Sequence, residues 1–100
     1  DPQVTFSEDE MIVKPMGTLT KRCVSSPKGE IYTRWSKENL IFTKKVTYKR
    51  DGRYPLDGCN MAVYVGKDNW MAEMETYGEE QSIRPGETIL NEETWILEMK

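Results

Sequence analysis

Histidine is absent from these 100 residues, and cysteine occurs only twice, at Cys23 and Cys59. Without imidazole the chain lacks the commonest general base and the commonest metal ligand. Nucleophile pairs of the Ser-His and Cys-His kind are thereby excluded. Two thiolates close a tetrahedral zinc site only if carboxylates complete it. Phosphate-cradling glycine motifs are missing as well, since Gly66, Gly78 and Gly86 each stand alone in a turn context. Carboxylates do occur in close pairs, Glu73/Glu75 and Glu79/Glu80, the residue type that flanks a scissile glycosidic bond. The first pair reads as the solvent face of a strand and the second as a turn, so a solvated surface is the expectation for both. The chain is therefore read as a non-enzyme that needs neither cofactor nor metal.

Long hydrophobic runs are also lacking, and none approaches the eighteen residues of a membrane span. The chain opens "DPQVTF", with neither an initiating methionine nor a signal-peptide core. This is the text expected of a mature, processed chain. An even cysteine count in a small domain suits one disulfide, although two free thiols would give the same sequence. A Cys23–Cys59 disulfide would imply an oxidising, secreted or extracellular setting. No Asn-x-Ser/Thr sequon adds to that expectation.

What is present is alternation. Residues 1–100 read as a single β-sandwich domain, because short apolar/polar alternations broken by turn dipeptides recur throughout and no stretch holds a helical period for three turns. In "NMAVYV", Met61, Val63 and Val65 fall on one face, and Ala62 and Tyr64 on the other. "GKDN" then leads into "WMAEMETY", completing a hairpin. "VTYKRDGRYPL" suggests a second hairpin about a type I′ turn at Asp51-Gly52. "TLTKRCV" and "EIYTRWS" read as strands flanking "SSPKG", "LIFTKK" as a further strand, and "TWILEMK" as the last. The fold class expected is all-β, a two-sheet antiparallel sandwich of six to nine short strands with one disulfide. Trp35, Trp70 and Trp95 lie in alternating contexts and are expected in the core.

The net charge of −3 is unevenly spread. The first ten residues carry four acids and no base, residues 11–53 carry eleven Lys/Arg against three acids, and residues 54–100 carry three against ten. Either a basic binding face or complementary strands that pair in the fold accounts for this asymmetry. The candidate partner-binding residues are Lys44, Lys45, Lys49, Arg50 and Arg53, steering an acidic protein surface to an exposed strand edge, with the turn tip at Lys67 to Asn69 as the alternative contact. The same region interleaves bases with aromatics, in "YTRWSK" and "FTKKVTYKRDGRY". The alternative function is thus a small β-barrel that binds single-stranded nucleic acid.

Two family resemblances accompany these patterns. "DPQVTFSEDEMIVKPMGTLTKRC" followed by "IYTRW" resembles the opening strands of an immunoglobulin-like domain, with Cys23 twelve positions before Trp35. That family's second cysteine lies about fifty residues past the first, where this chain has Met74, and Cys59 comes too early for it. "RCVSSPKGEIYTRW", "LIFTKK", "VTYKRDGRY" and "GCNMAVYVGKDNW" resemble the MAX-type effectors secreted by plant-pathogenic fungi, six-stranded sandwiches whose disulfide ties the first strand to the fifth. Both resemblances imply a secreted module that binds a partner protein without catalysis, through an exposed strand edge or the basic face.

Overall fold

The computed structural model describes residues 2–100. Eight strands follow one another: β1 (Val4–Phe6), β2 (Met11–Val13), β3 (Thr20–Val24), β4 (Glu30–Trp35), β5 (Leu40–Lys45), β6 (Met61–Val65), β7 (Ala72–Thr76) and β8 (Thr94–Met99). The only helical pieces among the described residues are two single turns, Pro55–Gly58 and Lys67–Asn69. The chain is all-β, as the alternation requires. The strands form three small antiparallel sheets: β1-β2, β3-β6-β7 and β4-β5-β8.

The strand that best matches its sequence pattern is also the centre of the core. β6 pairs with β3 on one side and β7 on the other, Val63 standing opposite both Arg22 and Met74. Met61 and Val65 on one of its faces and Ala62 on the other are all buried. Ile41 and Tyr54 complete the buried apolar set. So few buried side chains make a thin core, and a chain of this size has little surplus stability.

Asn60 has its polar groups engaged beside that core. Asn60, just before β6, is buried. Its Oδ1 accepts from the Ser26 N–H at 2.6 Å, and its Nδ2 donates to the Ser26 carbonyl at 2.9 Å. Its backbone N–H donates to Val24 and its carbonyl accepts from Tyr77. One side chain therefore ties the β3–β4 turn to the start of the central strand.

Several expectations are corrected by the tertiary structure. At Asp51-Gly52 a turn forms, with the Gly52 N–H donating to the Lys49 carbonyl at 2.9 Å, but no strands pair across it. Gly52 is the fourth residue of that turn and Asp51 lacks positive φ, so the turn is not of the primed kind a hairpin needs. The Tyr54 hydroxyl instead accepts from the Lys49 N–H, folding the loop back on itself, and Tyr54 stacks on Tyr48 at 5.2 Å. The tryptophans are not core residues: Trp35 is 45% exposed, Trp95 65% and Trp70 72%. The Trp70 indole packs against Gly66, where an added Cβ would collide with the ring. At Pro85-Gly86 the chain makes a type II turn, with Gly86 at φ +90°, leading on towards β8.

Candidate functional site

The β4-β5-β8 sheet carries five exposed aromatic or apolar side chains, Tyr32, Trp35, Trp95, Leu97 and Met99, and its register shows which belong together. Trp35 stands opposite Leu40, which stands opposite Met99; Thr33, Phe42 and Leu97 form the next row, and Ile31, Lys44 and Trp95 the third. Residues directly opposed across an antiparallel pair share a face. One face of this sheet is therefore almost wholly apolar, with Lys44 as its single charge. Leu97 is 67% exposed and Met99 79%.

Backbone direction follows from two bonds at the strand ends. The Val46 N–H donates to the Gly29 carbonyl, and the Lys100 N–H donates to the Asn39 carbonyl. Hydrogen-bonded and non-bonded pairs alternate along an antiparallel ladder. Glu30, Tyr32 and Arg34 in β4, and Trp95, Leu97 and Met99 in β8, thus turn their backbone N–H and C=O groups away from β5. Among the described residues, neither outer strand of the sheet has a pairing strand on its far side.

The two edges differ in chemistry. β4 presents Tyr32 and Arg34, with Trp35 at its end. The Tyr32 hydroxyl donates to Glu10 Oε2 at 2.7 Å, which raises the phenol pKa above its usual value, chiefly through that hydrogen bond. β8 has Glu98 as its only charge, and Glu98 lies on the opposite face from Trp95 and Leu97.

The five basic candidates are dispersed rather than gathered. Lys44 is 18% exposed and works inside the fold: its ammonium donates to the Met74 carbonyl at 2.9 Å, lies 3.9 Å from Glu93 and sits over the Trp95 ring. It caps the outer edge of β7 from the neighbouring sheet. Lys45 pairs with Glu30 at 3.3 Å and Lys49 with Glu79 at 3.3 Å. Arg50 and Arg53 lie in the loop before the Pro55 turn, Arg53 beside Glu80, Gln81 and Ser82. Through Lys44 and Lys49 the positive middle of the chain thus meets its acidic C-terminal part across strands and loops. Lys21 and Glu75, 3.4 Å apart on the β3-β6-β7 sheet, follow the same rule.

Glu93, which no sequence motif singled out, is the most engaged carboxylate. It accepts from the Thr76 hydroxyl and, at 2.8 Å, from the Trp95 indole N–H. These bonds, with Lys44 nearby, hold its pKa below the ordinary carboxylate range. Glu75 likewise accepts from Tyr77 at 2.6 Å, and Glu79 is tied to Lys49, so both carboxylate pairs noted in the sequence contribute to ion pairs. Among the described residues no group of three potential ligands is placed to hold a metal.

Cys23 and Cys59 come within 2.9 Å of each other as free thiols. Three consecutive residues of positive φ, Leu56, Asp57 and Gly58, swing the chain round to put Cys59 there. Left-handed backbone costs about 1 kcal/mol or more at each non-glycine residue, so the turn holds only because its surroundings impose it. Partial burial and the Cys23 thiol push the Cys59 pKa up to about 11.

With this geometry in hand, comparison with protein-family models, with curated proteins and with solved structures returns no match to the chain.

Proposed function

We propose that this chain is a non-catalytic protein-recognition module that binds a partner protein along the β4 edge. The observation that carries this reading is the presentation of Tyr32, Arg34 and Trp35 on a strand with no neighbour on its outer side. Aromatic and arginine side chains dominate binding energy at protein interfaces, and an unpaired strand supplies backbone bonds to any extended segment laid beside it. Arg34 within the strand, with Arg50 and Arg53 in the loop, would favour an acidic partner and quicken encounter with it. A secreted setting belongs to the same proposal, with Cys23 and Cys59 joined once a thiol-disulfide donor such as oxidised glutathione accepts their two electrons and two protons.

The test uses the intact chain and a variant carrying Tyr32→Ala, Arg34→Glu and Trp35→Ala as paired baits. A partner held by the first and lost by the second, then reconstituted from pure components, is the expected result. Each anchor should contribute at least about tenfold to Kd. Equal affinity of the reconstituted partner for both baits overturns the reading. Salt-sensitive binding of a single-stranded oligonucleotide, lost in the same variant, would assign the aromatic-basic edge to nucleic acid instead.

A further inference from the structure

We infer that the β8 edge pairs with the β8 edge of a second copy of this chain, joining two three-stranded sheets into one of six. This pairing uses the other side of the sheet from the β4 edge and does not depend on the partner proposed there.

Sheets defend an open edge with charge, proline, bulges or a covering side chain. β7 has its outward Met74 carbonyl capped by Lys44. β4 carries Glu30 and Arg34 among its outward residues. β8 has none of these devices: its outward backbone groups belong to Trp95, Leu97 and Met99, all of them apolar and all more than half exposed.

Self-complementarity selects the occupant. The outward residues are symmetric about Leu97, so a two-fold axis through that position sets Leu97 against Leu97 of the second copy and Trp95 against its Met99. Every such pair joins two residues whose N–H and C=O already point outward, which is the condition for a reciprocal hydrogen-bonded pair. A register shifted by one residue would oppose outward groups to inward ones. The same axis keeps the apolar face continuous, since opposed residues share a face, and it brings the Met99 thioether against an indole. On the other face Glu98 meets Ile96 of the second copy and Lys100 meets Thr94, so no two like charges are directly opposed. Backbone direction, side-chain face and charge are thus all satisfied by an isologous register about Leu97, whereas a foreign strand would have only the backbone in its favour.

The experiment measures mass by sedimentation equilibrium across a concentration series of the intact chain, with amide hydrogen exchange at both ends of the series. The expected result is a monomer-dimer equilibrium in which the amides of Trp95, Leu97 and Met99 slow at high concentration while those of Ile96 and Glu98, already bonded to β5, change little. Leu97→Pro removes an N–H that has no bond within the chain, and should weaken dimerisation by about tenfold or more without changing the monomer's circular dichroism. Leu97→Lys, which keeps the N–H but places two ammoniums on the axis, serves as the second variant and should do the same. A chain that stays monomeric up to its solubility limit overturns the inference. So does a dimer that survives both substitutions, or protection of the odd-numbered amides that requires a different protein.

Discussion

Asn60 and Ser26, thirty-four residues apart, exchange two hydrogen bonds: the Ser26 N–H donates to the amide oxygen and the amide nitrogen donates to the Ser26 carbonyl. A side chain thereby stands in for a strand at the point where β3 has ended and the chain must turn towards β4. Asn60→Ala leaves both Ser26 groups without partners in a largely buried site, and unpaired groups of that kind cost about 1 to 3 kcal/mol each. Urea titration should show a loss of about 2 to 4 kcal/mol with an unchanged m-value. A loss within experimental error would mean that water replaces the amide freely.

Gly29, in the same turn, has φ +69° and packs against Val46 so closely that an added Cβ would collide with the Val46 carbonyl oxygen. That carbonyl belongs to the residue whose N–H donates to Gly29, so it cannot withdraw without breaking the start of the β4-β5 ladder. Gly29→Ala should destabilise by about 2 kcal/mol or more, combining left-handed strain with a backbone clash. Thermal unfolding of the variant checks this. Gly17→Ala is the control, having φ +81° and open space around it, and should show the strain alone.

The depressed pKa of Glu93 makes stability depend on pH with a definite sign. Because the folded carboxyl titrates below the unfolded one, its contribution is complete above the ordinary carboxylate range and is lost as pH falls through the folded value. Glu93→Gln should therefore be less stable than the wild type at neutral pH, by on the order of 1 kcal/mol, and the gap should close on acidification. A gap that stays constant with pH would assign the effect to packing.

For the cysteine pair the sign is reversed. In the reduced protein the Cys59 thiol titrates at about 11, above its ordinary value of 9.0, so the unfolded chain ionises first as pH rises. Stability of the reduced form should fall between those two values. At lower pH, alkylation of Cys59 should lag behind that of the exposed Cys23. Oxidation should remove two mass units and raise stability by about 3 to 4 kcal/mol on the chain-entropy model. Equal stability of the oxidised and reduced forms would show that closing this loop strains the native turn as much as it restricts the unfolded chain.

Charge reversal separates the basic residues by their surroundings. Lys44→Glu places an anion beside Glu93 and removes the cap on the Met74 carbonyl, so it should unfold the chain or cost about 3 kcal/mol. Arg50→Glu and Arg53→Glu, in an exposed loop, should leave stability within about 0.5 kcal/mol of the wild type. A destabilised Arg50 variant would mean that the loop's charge has a structural role.

The residues alone determined the class of fold, because side-chain parity along a strand is a local property. Met61 to Val65 alternate, a turn follows, and β6 pairs with β7 as the pattern demands. Parity also grouped Trp95 with Leu97, and Leu97 with Met99. It did not say which face is covered: Trp35, Trp70 and Trp95 alternate as core residues do, yet all three meet solvent, since burial depends on what packs above a sheet. The Asp51-Gly52 pair suggests a hairpin that does not form for a related reason, the Tyr54 hydroxyl taking the Lys49 N–H that a hairpin would leave for a strand. Only the tertiary structure decided that β3 and β4, consecutive in the chain, belong to different sheets. It alone showed that Lys44 serves the fold and that β8 has no neighbour on one side. Each of these depends on pairings between distant segments, selected by the joint burial of β6 and the hydrogen bonds of Asn60, and no local pattern encodes them.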